Sequence, residues 1–347
     1  FFQAEDGIRY CLLSRGLGDV YKRQSYVISS DILITNQIIE LISIKEETPN
    51  IKRFVFQLPE SKNFSWSAGA HIRVILPTGE SRAYSLLDLK ELKKNQIAIG
   101  VLLEVNSTGG SKYMHSLSEG DKIEISPPTN NFELTDGSSD DVLIAGGIGI
   151  TPLLSMATKL NKGNKKYTLH YAGRQKNSLA FVSDLLELCG ENLYLHYDND
   201  NSAINLRSII ENSSTGSNIY VCGPLGMIET TKDIAIELGL PNEKIKYELF
   251  KTDDEKNEDE AFEVQIHATG QIIQVNADQS IIEALETAGL DPLYDCQRGD
   301  CGICQCEVIS GTPDHRDIIL TEEEKASNSI MQICVSRAKS KRLVIDI

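Results

Sequence analysis

Apolar residues follow two rhythms along this chain, and the change from one to the other divides it. From about Ile32 to Leu134 the apolar runs are short, as in Ile38–Ile44, Ile51–Phe56 and His71–Leu76, with Pro49, Pro59, Gly69 and Gly79 between them. Runs that alternate or cluster in this way, bounded by turn residues, read as strands. They predict a small antiparallel barrel over residues 30–135. From Asp141 strands and helices alternate instead. Val142–Ala145 runs into Gly146-Gly147-Ile148-Gly149-Ile150-Thr151-Pro152, followed by an apolar-periodic helix from Leu153 to about Leu160. Further strands are predicted at Lys166–Ala172, Asn192–Tyr197 and Ile219–Cys222, giving an α/β domain over 138–250. Residues 251–260 hold no apolar side chain except the methyl of Thr252 and read as a solvated linker. From Phe262 a hairpin is signalled by Phe262–Ile266, Thr269-Gly270 and Ile272–Val275. A helix from Ile281 to about Ala288 stops at Gly289, and strands follow at Glu307–Ile309 and Leu343–Ile345. That order is a β-grasp, placed at 261–347. The expected fold is therefore multidomain α+β: barrel, α/β domain and β-grasp domain.

At 347 residues the chain is long enough for two or three such domains. Its 41% hydrophobic and 24% charged content is that of an ordinary globular protein. No apolar run is long enough to suggest a membrane-spanning helix. A formal charge of −16 argues against nucleic acid as a partner, because phosphate binding needs a basic face. The first 24 residues, from Phe1-Phe2-Gln3-Ala4-Glu5-Asp6 to Tyr21-Lys22-Arg23-Gln24, resemble translated sequencing-adapter read-through. They are set apart from the fold as an artefact, Cys11 with them.

The strongest chemical signal is Cys296-Gln297-Arg298-Gly299-Asp300-Cys301-Gly302-Ile303-Cys304, joined by Cys334. The spacing C-x4-C-x2-C with a remote fourth cysteine is that of a plant-type 2Fe–2S cluster, with two thiolates for each iron. Gly299 and Gly302 let backbone N–H groups approach the negatively charged sulfurs. A zinc site favours paired C-x2-C units, and only one is present. Disulfides need an oxidising compartment, which nothing in the sequence supports. The expected iron ligands are Cys296, Cys301, Cys304 and Cys334. Cys306 has no assigned role, Cys189 reads as buried in a helix, and His315 reads as a surface-turn residue without a metal partner.

Two further motifs carry a resemblance. Arg82-Ala83-Tyr84-Ser85-Leu86, followed by Thr108-Gly109-Gly110-Ser111, resembles the flavin-binding barrel of the ferredoxin-reductase superfamily. The resemblance implies that Tyr84 packs on the flavin ring, that Ser85 bonds near N5, and that Arg82 neutralises the phosphate. Ala83, Gly109, Gly110 and Ser111 complete that site. An aromatic cover, a guanidinium fork and exposed backbone donors suit such a ligand. The G-G-x-G-x-T-P run and Cys222-Gly223-Pro224-Leu225-Gly226-Met227 resemble the nicotinamide-binding domain of the same superfamily. By that likeness Gly147, Gly149, Thr151, Pro152, Cys222, Gly223, Pro224 and Met227 hold the dinucleotide. Arg174 lies near its ribose, and Phe250 is a candidate beside the flavin. Ser85, Thr151 and Cys222 are the expected catalytic positions.

With Gly311-Thr312-Pro313-Asp314-His315-Arg316-Asp317 and Ser336-Arg337-Ala338-Lys339, the chain after residue 30 resembles the phthalate dioxygenase reductase and vanillate O-demethylase reductase family. Leu103 and Glu104 depart from it, standing where many relatives carry a basic residue. The resemblance implies an NADH-dependent oxidoreductase with FMN, FAD being the alternative, and a 2Fe–2S cluster. It implies a cytoplasmic monomer that passes electrons to a separate Rieske oxygenase or demethylase component. Two other uses fit the same parts: an FAD reductase serving a diiron monooxygenase, and a redox-sensing or electron-storage protein.

Overall fold

The computed structural model describes residues 36–59, 64–104, 107, 109–135, 140–200, 202–214, 216–250, 259–277 and 279–347. The segment 1–24, Thr108 and most of the expected linker (251–258) lie outside the described residues.

Six antiparallel strands form a closed barrel: β1 (Gln37–Thr48), β2 (Ile51–Gln57), β3 (His71–Ile75), β4 (Ser81–Leu87), β5 (Gln96–Leu102) and β6 (Lys122–Ile125), in the order β1-β2-β5-β4-β3-β6. The two-residue period of a strand sends Phe54 and Phe56 of β2, Ile72 and Val74 of β3, and Ile97 and Ile99 of β5 into one apolar core. Closure removes the exposed strand edges. Helix α1 (Gly110–Ser116) follows β5, beginning inside the Gly109-Gly110 pair.

The second unit is a parallel sheet of β7 (Asp141–Gly146), β8 (Tyr167–Gly173), β9 (Leu193–Tyr197), β10 (Asn218–Gly223) and β11 (Ile245–Leu249), ordered β11-β10-β7-β8-β9. All six residues of β7 and all six of β10 are buried, as expected for central strands covered on both faces. Helices α2 (Ile150–Lys162), α3 (Val182–Cys189), α4 (Leu206–Glu211) and α5 (Leu225–Glu237) accompany the sheet. Helix α2 starts three residues before the Leu153 expected from the apolar period. Pro152 sits in its first turn, where a missing N–H breaks no helical bond. The strand order reverses between β7 and β10. Crevices at such switch points, outside the carboxyl ends of the strands, are where open α/β sheets bind ligands.

The barrel and the sheet share one core. Leu87, Leu89, Ala98 and Phe132 of the barrel side belong to the same buried cluster as Leu143, Leu153, Tyr171 and Phe181. The third unit has its own core around Val264, Val275, Leu285 and Ile345. Its sheet consists of β12 (Phe262–Ile266), β13 (Ile272–Val275), β14 (Gln305–Ser310), β16 (Ile330–Gln332) and β18 (Arg342–Asp346), ordered β13-β12-β18-β14-β16. A small ladder joins β15 (Pro313–Asp314) to β17 (Arg337–Ala338), and helices α6 (Ile281–Thr287) and α7 (Glu322–Ser327) complete it. Ser280 and Thr321 cap these two helices, each through a reciprocal bond with a glutamate three residues on.

Arg53 of β2 is 3% exposed and lies among Glu47, Glu91 and Asp184, with its guanidinium 5.2 Å from the centre of the Phe181 ring. It therefore ties the barrel to α3 by charge as well as by packing. Removing one member of a buried ionic group strands the others, at a cost of about 3 kcal/mol. Arg53→Met is expected to lower the denaturant midpoint of the barrel and α/β units together. Unchanged midpoints in urea titrations would exclude this role.

Candidate functional site

A cleft of about 1010 Å3 runs between the three units. On the barrel side it is lined by Arg82, Ala83, Tyr84 and Ser85 of β4 and by Gly110 and Ser111 at the start of α1. Thr151 and Phe250 line it from the α/β unit, and Cys296 and Cys334 from the β-grasp unit. Ser85 is 3% exposed, and its hydroxyl has no hydrogen-bond partner among the described residues. A buried polar atom in this state fits a bound group that supplies the partner. Tyr84 is half-buried, and burial pushes its hydroxyl well above the usual phenol range. Arg82 donates to Glu80 Oε2 at 3.0 Å and packs on Gly110, where a Cβ would meet Arg82 Cγ at 2.5 Å. These residues supply a ring face, an unpaired hydroxyl and a guanidinium, a donor set that fits a flavin.

Thr151 is the second residue of α2 and bonds the Ile148 carbonyl at 3.0 Å. Gly149 closes on the end of β10, where a Cβ would lie 2.2 Å from the Cys222 carbonyl oxygen. Only glycine permits that approach, which brings the loops after β7 and β10 together at the switch point. Gly223, Pro224 and Met227 are part of the same junction, since a Cβ on Gly146 would strike Pro224 Cδ and Met227 and one on Gly223 would meet Gly146, whereas Gly147 contributes a positive φ of 55° with open space around it. Cys222 is fully buried, and desolvation raises its thiol well above the ordinary range. Arg174 is exposed just past β8 and, like Gly147, Gly149, Cys222, Gly223, Pro224 and Met227, is not among the residues that line the cleft.

The cysteine loop is shaped by three residues with positive φ, Gln297 at 54°, Gly299 at 79° and Gly302 at 76°. A Cβ on Gly299 would lie 2.7 Å from Val335 Cγ2. The loop brings Cys296 within hydrogen-bonding reach of Cys301 and Cys334, while Cys304 pairs with Cys334. The Cys296 thiol is lowered by those bonds. Four sulfurs so gathered fit a small cluster. Cys306 is buried in the β-grasp core, and burial pushes its thiol up to about 12. Cys189 is buried at the end of α3, as read from the sequence.

His315 corrects the sequence reading. Its side chain is only 8% exposed, with Nδ1 3.8 Å from the buried Asp317. A Pro-Asp-His-Arg-Asp run looks like a turn, but Asp317 caps the Leu320 N–H at 2.9 Å and folds it inward. Other residues were missed altogether. Arg298 contacts Glu248 and Asp300, all three with side chains little exposed. Burial is the main cause raising Asp300 to about 7, and it raises Glu248 as well. The signal available was the charged Arg298-Gly299-Asp300 inserted between two cluster cysteines.

Comparison with known proteins adds to this geometry. Residues 264–339 match the 2Fe-2S iron-sulfur cluster binding domain, and residues 38–134 match the oxidoreductase FAD-binding domain. Residues 121–245 match the N-terminal domain of dimethylamine monooxygenase subunit DmmA-like proteins. The chain is 40% identical over 286 residues to vanillate O-demethylase oxidoreductase of Pseudomonas sp. (strain HR199 / DSM 7063), covering 81% of this chain and 90% of that protein. The chain belongs to this reductase family. A carnitine monooxygenase reductase subunit from Acinetobacter baumannii is 37% identical, covering 88% of this chain and 96% of its own. The solved structure of phthalate dioxygenase reductase, at 32% identity, superimposes with a TM-score of 0.74 over 90% of this chain and 98% of that one. Like these relatives, the chain is an oxidoreductase of the reductase-component type, built of flavin-binding, nucleotide-binding and 2Fe–2S domains. Among the described residues no helix is long and apolar enough to cross a membrane.

Serine at Cys296, Cys301, Cys304 or Cys334 is expected to abolish or alter the visible cluster spectrum, while Cys306→Ser leaves it intact. Unchanged iron content and spectrum in Cys334→Ser would overturn the ligand set.

Proposed function

We propose that this family member is an NADH-dependent reductase that passes electrons through FMN and the cluster to a separate Rieske-type oxygenase. The observation that carries the reading is the single cleft, lined at one side by Tyr84 and Ser85 and at the other by Cys296 and Cys334. Cofactors held by those residues would lie next to one another with no third domain between them. Flavin, when bound, supplies the conversion between a two-electron hydride donor and a one-electron acceptor. The chain's own task is positioning: Tyr84 covers a ring face, Ser85 presents a donor to the ring edge, and Arg82 meets the phosphate. Thr151, Cys222 and the glycines at 147, 149 and 223 would seat the nicotinamide, and the hydride it donates would need no general acid or base from the chain. Phe250, which lines the same cleft, is the candidate second aromatic beside the ring, and the four cysteines would hold the iron.

Magnitudes support outward transfer. Plant-type clusters lie near about −400 mV and Rieske centres at roughly −150 to +300 mV. A gap of about 250 mV corresponds to roughly four decades for one electron, at about 59 mV each. Two named relatives are reductases of a demethylase and of a monooxygenase, which supports an oxygenase as acceptor. NADH is favoured over NADPH because Gly173-Arg174-Gln175-Lys176-Asn177-Ser178 carries two basic residues and no dense cluster for a 2′-phosphate. Comparison of kcat/KM for the two cofactors is expected to favour NADH, and the reverse order would refute that choice.

Charge adds the manner of docking. Residues 251–347 carry a net charge of −11, most of the −17 on the chain after residue 24. An acceptor with a basic patch would be steered to this surface. Steering weakens as the screening length falls from about 10 Å at 0.1 M salt to about 3 Å at 1 M. Electron transfer to the partner is expected to slow steeply across a salt series, with NADH oxidation by a small neutral acceptor nearly constant. A flat partner rate, or parallel responses, would remove the electrostatic docking. Absence of bound flavin or iron from the purified protein would remove the whole reading.

A further inference from the structure

Arg298 lies two residues after Cys296, yet its side chain leaves the cysteine loop. The guanidinium reaches Glu248 Oε1 at 3.0 Å and Asp300 Oδ2 at 3.3 Å, and its side chain is 11% exposed. Glu248 stands on β11 beside Cys222 of β10, its register partner, two residues before Phe250 of the cleft. Asp300 returns the tie by accepting the Leu249 N–H at 3.2 Å. The backbone N–H of Arg298 meanwhile donates to Cys296 Sγ at 3.3 Å. One residue thus grips the nucleotide unit with its side chain and a cleft-lining cysteine with its main chain.

The loop's other ties are of two kinds. Lys232 and Tyr247 both donate to the Ile318 carbonyl, at 2.6 and 3.2 Å, and Ile318 packs among Ile228, Ile234 and Leu249. These hold the β-grasp unit to the α/β unit. Toward the barrel the bonds are exposed: Arg73 Nη2 to Gln297 Oε1 at 3.4 Å, and Asn131 Nδ2 to Asp295 Oδ2 at 2.6 Å. Adhesion alone does not call for buried charge. Ion pairs taken out of water gain little stability over apolar packing of the same volume. What the guanidinium adds is a direction, because Nη2 donates to Glu248 Oε1 at 3.0 Å, with the charge of Asp300 Oδ2 3.3 Å from Nε.

We propose that Arg298 is a positioning residue for electron transfer. Held by Glu248 and Asp300, it sets how the cysteine loop faces the flavin cleft, and it keeps a fixed positive charge beside Cys296. The step it serves moves one electron from reduced flavin to the oxidised cluster, with no bond made or broken. The inference rests on the proposed reading that flavin occupies the cleft and that the four cysteines hold the cluster. The added negative charge of a reduced cluster is favoured by a nearby cation, so loss of the guanidinium lowers the reduction potential.

The test uses the full chain with flavin and iron both verified, so that failure of the functional reading is seen first in the wild-type protein. Arg298→Met is then followed in a single turnover with NADH. Cluster reduction is expected to slow by about tenfold or more, equivalent to about 1.4 kcal/mol in the barrier, while flavin reduction stays within about twofold. The cluster potential, read by spectroelectrochemistry, is expected to fall. Arg298→Lys keeps the charge but not the guanidinium, so it should restore the potential and only part of the rate. A wild-type rate and potential in Arg298→Met would overturn the proposal. If that variant assembles no cluster, Glu248→Gln decides, since it leaves the loop sequence intact. Slower flavin-to-cluster transfer at unchanged iron content upholds the inference, and a wild-type rate for that step overturns it.

Discussion

The close approach of barrel to sheet governs the rest of the molecule. Gly100 of the barrel has no room for a Cβ, which would come within 2.7 Å of Phe181 and 2.9 Å of Thr151. The same absence of bulk lets Thr151 reach the cleft beside Tyr84 and Ser85. Around this contact the two units bury one continuous apolar core, so their relation is set by close packing rather than by a hinge. The strand order then places the switch point between β7 and β10, whose following loops meet at the contact of Gly149 with Cys222.

Against this fixed pair the β-grasp unit is held differently. It has a core of its own, and its attachment combines a few directed contacts from the cysteine loop and the 316–320 segment with the packing of Ile318 into the α/β unit. Two mechanical regimes meet at the cleft. Dispersion and shape hold the barrel and the α/β unit together, and hydrogen-bonded charge with one packed isoleucine orients the β-grasp unit. The first tolerates small errors poorly, and the second depends on only a few side chains.

Local patterns made much of this legible. Short apolar runs between turn residues exposed β1, β2 and β3, and continuous burial exposed β7 and β10, because both depend on neighbours within a few residues. The cysteine spacing was legible for the same reason. Helix α2 began earlier than its apolar rhythm, since a proline near the start interrupts the pattern without interrupting the helix. Glu248, Arg298 and Asp300 were not legible as a group. Glu248 and Arg298 are 50 positions apart, and a buried charge looks like a solvated one until its partner is known. His315 failed likewise: the residues of its run read as a surface turn, whereas Pro313 and Asp314 form β15 and the imidazole is enclosed beside Asp317.

The single core under barrel and sheet has a consequence for how such chains can be recombined. A cut between those two units would expose a broad apolar face on each, so neither half could be exchanged without carrying a matching surface. A cut between Phe250 and Asp259 withdraws only Ile318 from a shared apolar cluster and otherwise severs directed contacts that a new neighbour could re-create residue by residue. The β-grasp unit is thus the portable part of the molecule. The barrel and sheet travel as one heritable block.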